Sequence, residues 1–288
     1  MYIVNMYIYM SEIYKTGSYI KASTIKTIST TSLKNLNVFL QREVDFLNQK
    51  YPNITTLKRV FTHIRNELKQ SDLTVKKLDK CLVFYKLTAK QLDGFKKYTE
   101  RTLANKRAVL TAINDPIGLI GCLKKLLQSN HKIELLIAIA GLTGRRVAEV
   151  ACTAEFKIKD DKTLNFTGQL KTKNRVDVET LEIPCLNTAT DIIKVHKRLK
   201  TLITITDPES FHNTFSRSIS KTYHKHFAKF YDAPHQVKDL RAFYAEYCYL
   251  IYEPLVAKTK YFSQILGHGE EDATTGNHYE RFKLFNWA

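Results

Sequence analysis

Apolar residues return every third or fourth position along most of this chain, and that rhythm gives way to alternation in one short stretch. Leu33, Leu36, Leu40 and Leu47 form one stripe of an amphipathic helix, and Leu57, Val60, Phe61, Ile64 and Leu68 form another. Helical spacing continues through 117–128, 133–140, 192–203, 215–230, 238–252 and 255–266, punctuated by Asp207-Pro208, Pro234 and Pro254. Between them Phe156, Ile158, Leu164 and Phe166 alternate with polar residues around Asp160-Asp161-Lys162, the pattern of a β-hairpin, and Leu181-Glu182-Ile183 offers a third strand. The expected fold is mainly α with a small β-sheet (α+β).

Asn114-Asp115-Pro116 breaks the helical pattern, because the residue before proline avoids the α region and proline suits a helix start. A domain boundary is placed there. Residues 1–30 are then an N-terminal segment expected to be partly disordered, 31–115 a helical basic domain and 116–288 a second domain. From Lys34 to Arg107 there are 17 Lys and Arg against 7 Asp and Glu, and the whole chain carries a formal charge of +17. A field of that sign favours a polyanion, with nucleic acid ahead of an anionic membrane surface, since Lys and Arg on phosphates release condensed counterions. The longest apolar stretch, Glu134 to Leu142, is far short of the roughly 20 residues that span a bilayer. The opening MYIVNMYIYM lacks the basic start and small-residue cleavage site of a signal peptide. Cys81, Cys122, Cys152, Cys185 and Cys248 are odd in number and widely spaced, against disulfides and a zinc site, and an intracellular setting is expected. His224 and His226 have no carboxylate or Cys partner at ligand spacing, so no metal is assigned to them.

Four islands carry chemistry. In Leu142-Thr143-Gly144-Arg145-Arg146-Val147-Ala148-Glu149-Val150 an arginine can clamp a phosphate through two parallel hydrogen bonds while Glu149 orients it; taken alone, a capping or salt-bridge role serves equally well. In Phe166-Thr167-Gly168-Gln169-Leu170-Lys171-Thr172-Lys173 a lysine at the end of the hairpin can reach a DNA groove and protonate a leaving alkoxide, or simply hold a phosphate. Lys238-Asp239-Leu240-Arg241 sets Lys238 and Arg241 three apart on a helix. Phe262-Ser263-Gln264-Ile265-Leu266-Gly267-His268 ends a helix at Gly267, and a polar stretch leads on to His278-Tyr279.

In this order the islands resemble the tyrosine recombinase superfamily, and the strings F-T-G-Q-L-K-T-K, F-S-Q-I-L-G-H and H-Y-E-R-F-K-L resemble the hairpin-telomere resolvases (protelomerases) within it. The resemblance runs from about Ile117 to the C-terminus and implies a tyrosine-recombinase-like catalytic domain behind a helical DNA-binding domain. It implies Tyr279 as nucleophile, with Arg146, Lys171, Arg241 and His268 completing the constellation and Lys238, Arg145, Glu149 and Lys173 in support. Lys238 stands where ordinary recombinases have histidine, and His268 lies eleven residues before Tyr279, about two more than the common pattern. Tyr244, Tyr247, Tyr249, Tyr252 and Tyr261 are rivals read as core or DNA-contacting aromatics. Also implied are cleavage and rejoining of double-stranded DNA at an inverted-repeat site by a homodimer, with no metal, cofactor or membrane. The chain ends nine residues after Tyr279, so no appended C-terminal domain is expected. A conventional recombinase or integrase, a type IB topoisomerase-like enzyme and a non-catalytic basic DNA-binding protein are the alternatives.

Overall fold

The computed structural model describes residues 22–108, 110–170, 180–267 and 279–285. The chain divides into two compact units, Met1–Thr102 and Leu103–Ala288, and the division falls within a helix upstream of the Asn114-Asp115-Pro116 break.

The first unit comprises α1 (Ala22–Thr30), α2 (Leu33–Lys50), α3 (Ile54–Lys69), α4 (Val75–Phe84) and most of α5 (Ala89–Ala108). The Ser32 hydroxyl accepts the Asn35 N–H at the start of α2, and the Asn53 side chain accepts those of Thr55 and Thr56 at the start of α3. These N–H groups have no carbonyl partner within their own helix, which is why such residues precede it. The two apolar stripes read from sequence meet inside, with Leu36, Leu40 and Leu47 in one core with Leu57, Phe61 and Ile64. Of the segment expected to be partly disordered, residues 22–30 are helical: Ile28 is fully buried, and Lys77 and Lys80 donate to the carbonyls of Ser29 and Leu33. Residues 1–21 lie outside the described residues.

The second unit runs β1 (Thr111–Ile113), α6 (Pro116–Leu126), α7 (Lys132–Thr143), a π turn (Glu149–Thr153), β2 (Glu155–Ile158), β3 (Thr163–Thr167), β4 (Leu181–Pro184), α8 (Ala189–Leu202), α9 (Pro208–Phe227), α10 (Asp239–Tyr252), α11 (Lys258–Leu266) and β5 (Phe282–Leu284). Asp115 accepts the Gly118 N–H at 2.7 Å, so the proline break is the capped start of α6. The centre is α7, buried from Ile133 to Thr143 except at Glu134, and each of its large aliphatic side chains contributes about 1.5–3 kcal/mol of burial. Helices α6, α8, α9 and α10 pack around it.

Strands β2, β3 and β4 form the expected antiparallel sheet, with Phe156 opposite Phe166 and Leu164 opposite Ile183. Leu164, Phe166 and Ile183 are wholly buried, the alternation that marks one covered face. A second ladder was not anticipated: β1 pairs in parallel with β5, Thr111 beside Phe282 and Ile113 beside Leu284, and Ile113 also bridges to Tyr231.

One carboxylate in the first unit gives that unit a pH dependence. Half-buried Glu43 lies beside the Leu40–Val44–Leu47 stripe of α2, and burial pushes its pKa up to about 7. A folded-state pKa above the unfolded one favours folding at low pH and loses that contribution as the pH climbs through the folded value. Chemical unfolding of Glu43→Gln and the parent should therefore nearly coincide at about pH 4, with the variant increasingly the more stable toward about pH 8. A gap that does not change with pH would mean that Glu43 titrates normally.

Candidate active site

Helix α7 ends at Gly144, whose φ of +66° is in the left-handed region; a Cβ there would lie 2.2 Å from the Tyr244 ring. The reversal sends two adjacent arginines opposite ways. Arg145 turns inward and is 2% exposed. Its Nη2 donates to the Ile265 carbonyl at 2.5 Å, its Nε to the Thr143 carbonyl at 3.2 Å, and its guanidinium lies 4.8 Å from the Phe166 ring centre. Burial, then the charge of Arg241, lowers its pKa to about 9. Arg146 stays half-exposed, and both its backbone N–H (3.0 Å) and its guanidinium donate to Glu149.

Glu149 is fully buried at the start of the π turn. Burial alone would raise its pKa, but Arg241, Arg146 and Arg145 outweigh it and hold the carboxyl below its ordinary value. Its Oε2 is 3.9 Å from Arg241 Nη1, and its Oε1 accepts the Leu170 N–H at 3.4 Å. The turn closes where the Ala154 N–H reaches the Glu149 carbonyl at 2.7 Å, five residues back. From α8, His196 Nε2 and Lys200 Nζ, one helical turn apart, donate at 3.0 Å each to the carbonyls of Val150 and Ala151. The Thr153 hydroxyl donates to the Gly168 carbonyl at 2.5 Å, tying the turn to the end of the sheet.

Arg241, on the first turn of α10, is 5% exposed. Its Nη1 donates to the Gly144 carbonyl at 2.5 Å and its Nη2 to the Leu266 carbonyl, which leaves Nε to donate to the Tyr279 hydroxyl at 3.3 Å. The guanidinium carbon lies 5.7 Å from the Tyr279 ring centre. Burial lowers the Arg241 pKa, a neighbouring Tyr279 opposes that, and Arg146 adds to it.

The structure thus brings together Arg146, Glu149, Arg241 and Tyr279 and sets Arg145 behind them as a buried tie. Lys238 is exposed just before α10. Lys171, Lys173 and His268 lie outside the described residues. The residues just before them do bear on the cluster: Leu170 binds Glu149, the Leu266 carbonyl binds Arg241, and Gly267 caps α11 at φ +71°. Of the rival tyrosines, Tyr244 is buried and donates to the Pro184 carbonyl at 2.6 Å, and Tyr249 packs against Tyr261 at 5.8 Å. His226 Nε2 pairs with Glu134 at 2.9 Å and the His224 ring lies 5.2 Å from that of His235. Sequence reasoning missed the carbonyls that grip the arginines, together with His196 and Lys200. No side-chain pattern marks a carbonyl, and His196 and Lys200 read only as α8 positions.

The family model of the telomere resolvase ResT/TelK catalytic domain matches residues 110–282. The protelomerase of Escherichia phage N15 is 27% identical over 173 residues, 54% of this chain but only 27% of that protein. Among solved structures, a variant of protelomerase TelA covalently complexed with substrate DNA superposes with a TM-score of 0.78 at 23% identity, covering 98% of this chain and 94% of that one. Another TelA variant, complexed with a DNA hairpin product, gives 0.79 at 22% identity with the same coverage. The fold is therefore that of protelomerase TelA. The chain belongs to the telomere resolvase ResT/TelK catalytic domain family.

Glu149 keeps the buried Arg145 and Arg241 charges compatible with their surroundings and holds the half-exposed Arg146, so replacing it strands the buried pair. Glu149→Gln should destabilise the second unit by roughly 3–5 kcal/mol, the scale for breaking a buried ion pair from one side. Denaturant unfolding followed by near-ultraviolet circular dichroism measures this; a change within error of zero would show that the carboxylate offsets little.

Proposed function

We propose that this chain is a telomere resolvase: it cleaves double-stranded DNA through a 3′-phosphotyrosine at Tyr279 and rejoins the ends as covalently closed hairpins. The observation that carries the reading is the Tyr279 hydroxyl 3.3 Å from Arg241 Nε, in the cluster that also holds the Arg146–Glu149 pair. The family assignment supports it, as do the relatives complexed covalently with substrate DNA and with a hairpin product.

The chemistry follows from charge. The phenolic oxygen attacks a backbone phosphorus, and a pentacoordinate transition state gathers negative charge on the non-bridging oxygens. Arg241, held by two carbonyls, and Arg146, oriented by Glu149, are donors fixed before the reaction begins, so little reorganisation opposes them. His268 supplies a third donor in this reading, and Lys171 protonates the departing 5′ oxygen. The phosphotyrosine conserves the bond energy, and attack by the 5′ hydroxyl of the opposite strand closes a hairpin without nucleotide or metal. Two protomers on an inverted-repeat site match the two-fold symmetry of the DNA. The formal charge of +17 suits that polyanion, and no helix among the described residues is long and apolar enough to cross a membrane.

Tyr279→Phe should abolish a covalent adduct on nicked DNA while binding persists, and Arg146→Ala or Arg241→Ala should slow cleavage about 100- to 1,000-fold, the scale for losing one oxyanion donor. Denaturing gels read the adduct and snap-back of the product reads the hairpin. A full adduct from Tyr279→Phe would move the nucleophile elsewhere, and recombinant linear products in place of hairpins would assign a conventional recombinase.

Lys171 has its own test. Lys171→Ala should be severely slow on ordinary DNA yet nearly normal on a substrate with a bridging 5′-phosphorothiolate, because a thiolate leaves without help from an acid. Arg241→Ala should stay slow on both. Equal impairment of Lys171→Ala on both substrates would remove the general-acid role and pass it to Lys173 or Lys238.

A further inference from the structure

The two residues that follow Tyr279 are each bonded to a different helix of the second unit. Glu280 Oε1 accepts the hydroxyl of Thr259 on α11 at 2.7 Å. Arg281 Nη1 donates to Asp239 Oδ1 at 2.5 Å, and Asp239 is the first residue of α10, two before Arg241. Asp239 is 2% exposed, and its second oxygen is taken by the Gln236 N–H at 2.7 Å, so the carboxylate is spent on the start of α10 and on Arg281. The backbone reinforces the link: the Thr111 N–H donates to the Arg281 carbonyl at 2.9 Å, which begins the β1–β5 ladder. Tyr279 and Arg281 lie two positions apart on one segment, and Asp239 and Arg241 two positions apart on the other, so the Arg281–Asp239 contact constrains the distance between Tyr279 and Arg241.

We infer that Arg281 is a positioning residue: its ion pair with buried Asp239 latches the segment bearing Tyr279 to the helix bearing Arg241, so that nucleophile and phosphate clamp enter the reaction as one body of the same chain. The inference rests on the proposed reading of Tyr279 and Arg241. Arg281 does not contact DNA phosphate in this scheme, because its side chain is held against Asp239 and lies beside the Phe282 ring at 5.9 Å. The cost of losing it appears in the rate of attack, where a displacement of about 1 Å is enough to slow reaction on the order of 100-fold.

The experiment uses the full chain with Arg281→Ala, Arg281→Lys, Asp239→Asn and the Arg281→Ala/Asp239→Asn double variant. Three readings are taken: the rate of covalent adduct formation on nicked DNA, the salt dependence of DNA affinity, and hydrogen exchange without DNA. Adduct formation by Arg281→Ala should fall about 100-fold with affinity and its salt slope unchanged, Arg281→Lys should recover much of the rate, and the double variant should be no slower than the worse single one. Hydrogen exchange should quicken in the peptide covering 279–285 for Arg281→Ala and Asp239→Asn, while peptides from α7 keep parental protection. That exchange decides the latch even if the parent forms no adduct, an outcome that would remove the proposed function alone. If Asp239→Asn loses protection in α7 as well, it is misfolded, and the two Arg281 variants decide. The inference is overturned if exchange of 279–285 is unchanged, if the two losses multiply, or if Arg281→Ala lowers the salt slope by about one phosphate, which would make Arg281 a DNA ligand.

Discussion

A carboxylate sealed from water inside a cluster of guanidinium groups is the interaction on which the second unit turns. Glu149 is fully buried, and without Arg241, Arg146 and Arg145 around it the charged form would be driven out of the interior. Conversely, the two buried arginines tolerate their surroundings because that carboxylate and four carbonyls absorb their charge. The same residue sets geometry. It fixes Arg146 on the exposed side, holds the Leu170 N–H where the chain leaves the sheet, and opens a turn whose carbonyls are capped from α8. Helix ends, sheet end and arginines are therefore registered to one another through a single side chain.

The adjacent arginines show how identical chemistry is split by local backbone. Gly144, the one residue type that accepts φ +66° there without clashing with Tyr244, reverses the chain after α7. Arg145 is consequently consumed by the interior, while Arg146 keeps a guanidinium edge toward solvent and its backbone on Glu149. The proposal that Arg146 rather than Arg145 binds phosphate has its physical basis in that reversal.

Much of this was legible in the sequence. The three-to-four spacing gave the helices because each buries one stripe, and alternation gave β2 and β3 because one face of the sheet is covered. Arg146, Glu149, Arg241 and Tyr279 were singled out through the resemblance of their motifs to a known family, and the structure brings these four side chains together. What stayed hidden has no side-chain signature. β1 and β5 are three residues each and join positions at opposite ends of the unit, too short for any periodicity to register. The π turn adds a residue that no spacing rule expects, and Asp239 and Arg281 were quoted within their motifs without any sign that they face each other. Residues 22–30 read as a tail because the few side chains they bury, Thr24 and Ile28 with Ile25 in part, do so against a core built by later helices.

The β1–β5 ladder places the opening strand of the second unit beside its closing one. During synthesis, β1 and the helices behind it emerge long before Phe282–Leu284, so the core around α7 and the Arg146–Glu149 pair can assemble while one edge still lacks its partner. A loop of that span closes slowly, since long-range pairing must first overcome the entropy of bringing distant ends together. Tyr279 lies three residues before that late-emerging strand. A nascent chain halted before β5 would hold Arg146 and Arg241 without the ladder that anchors the segment bearing Tyr279, so on the proposed reading the site is completed late in synthesis.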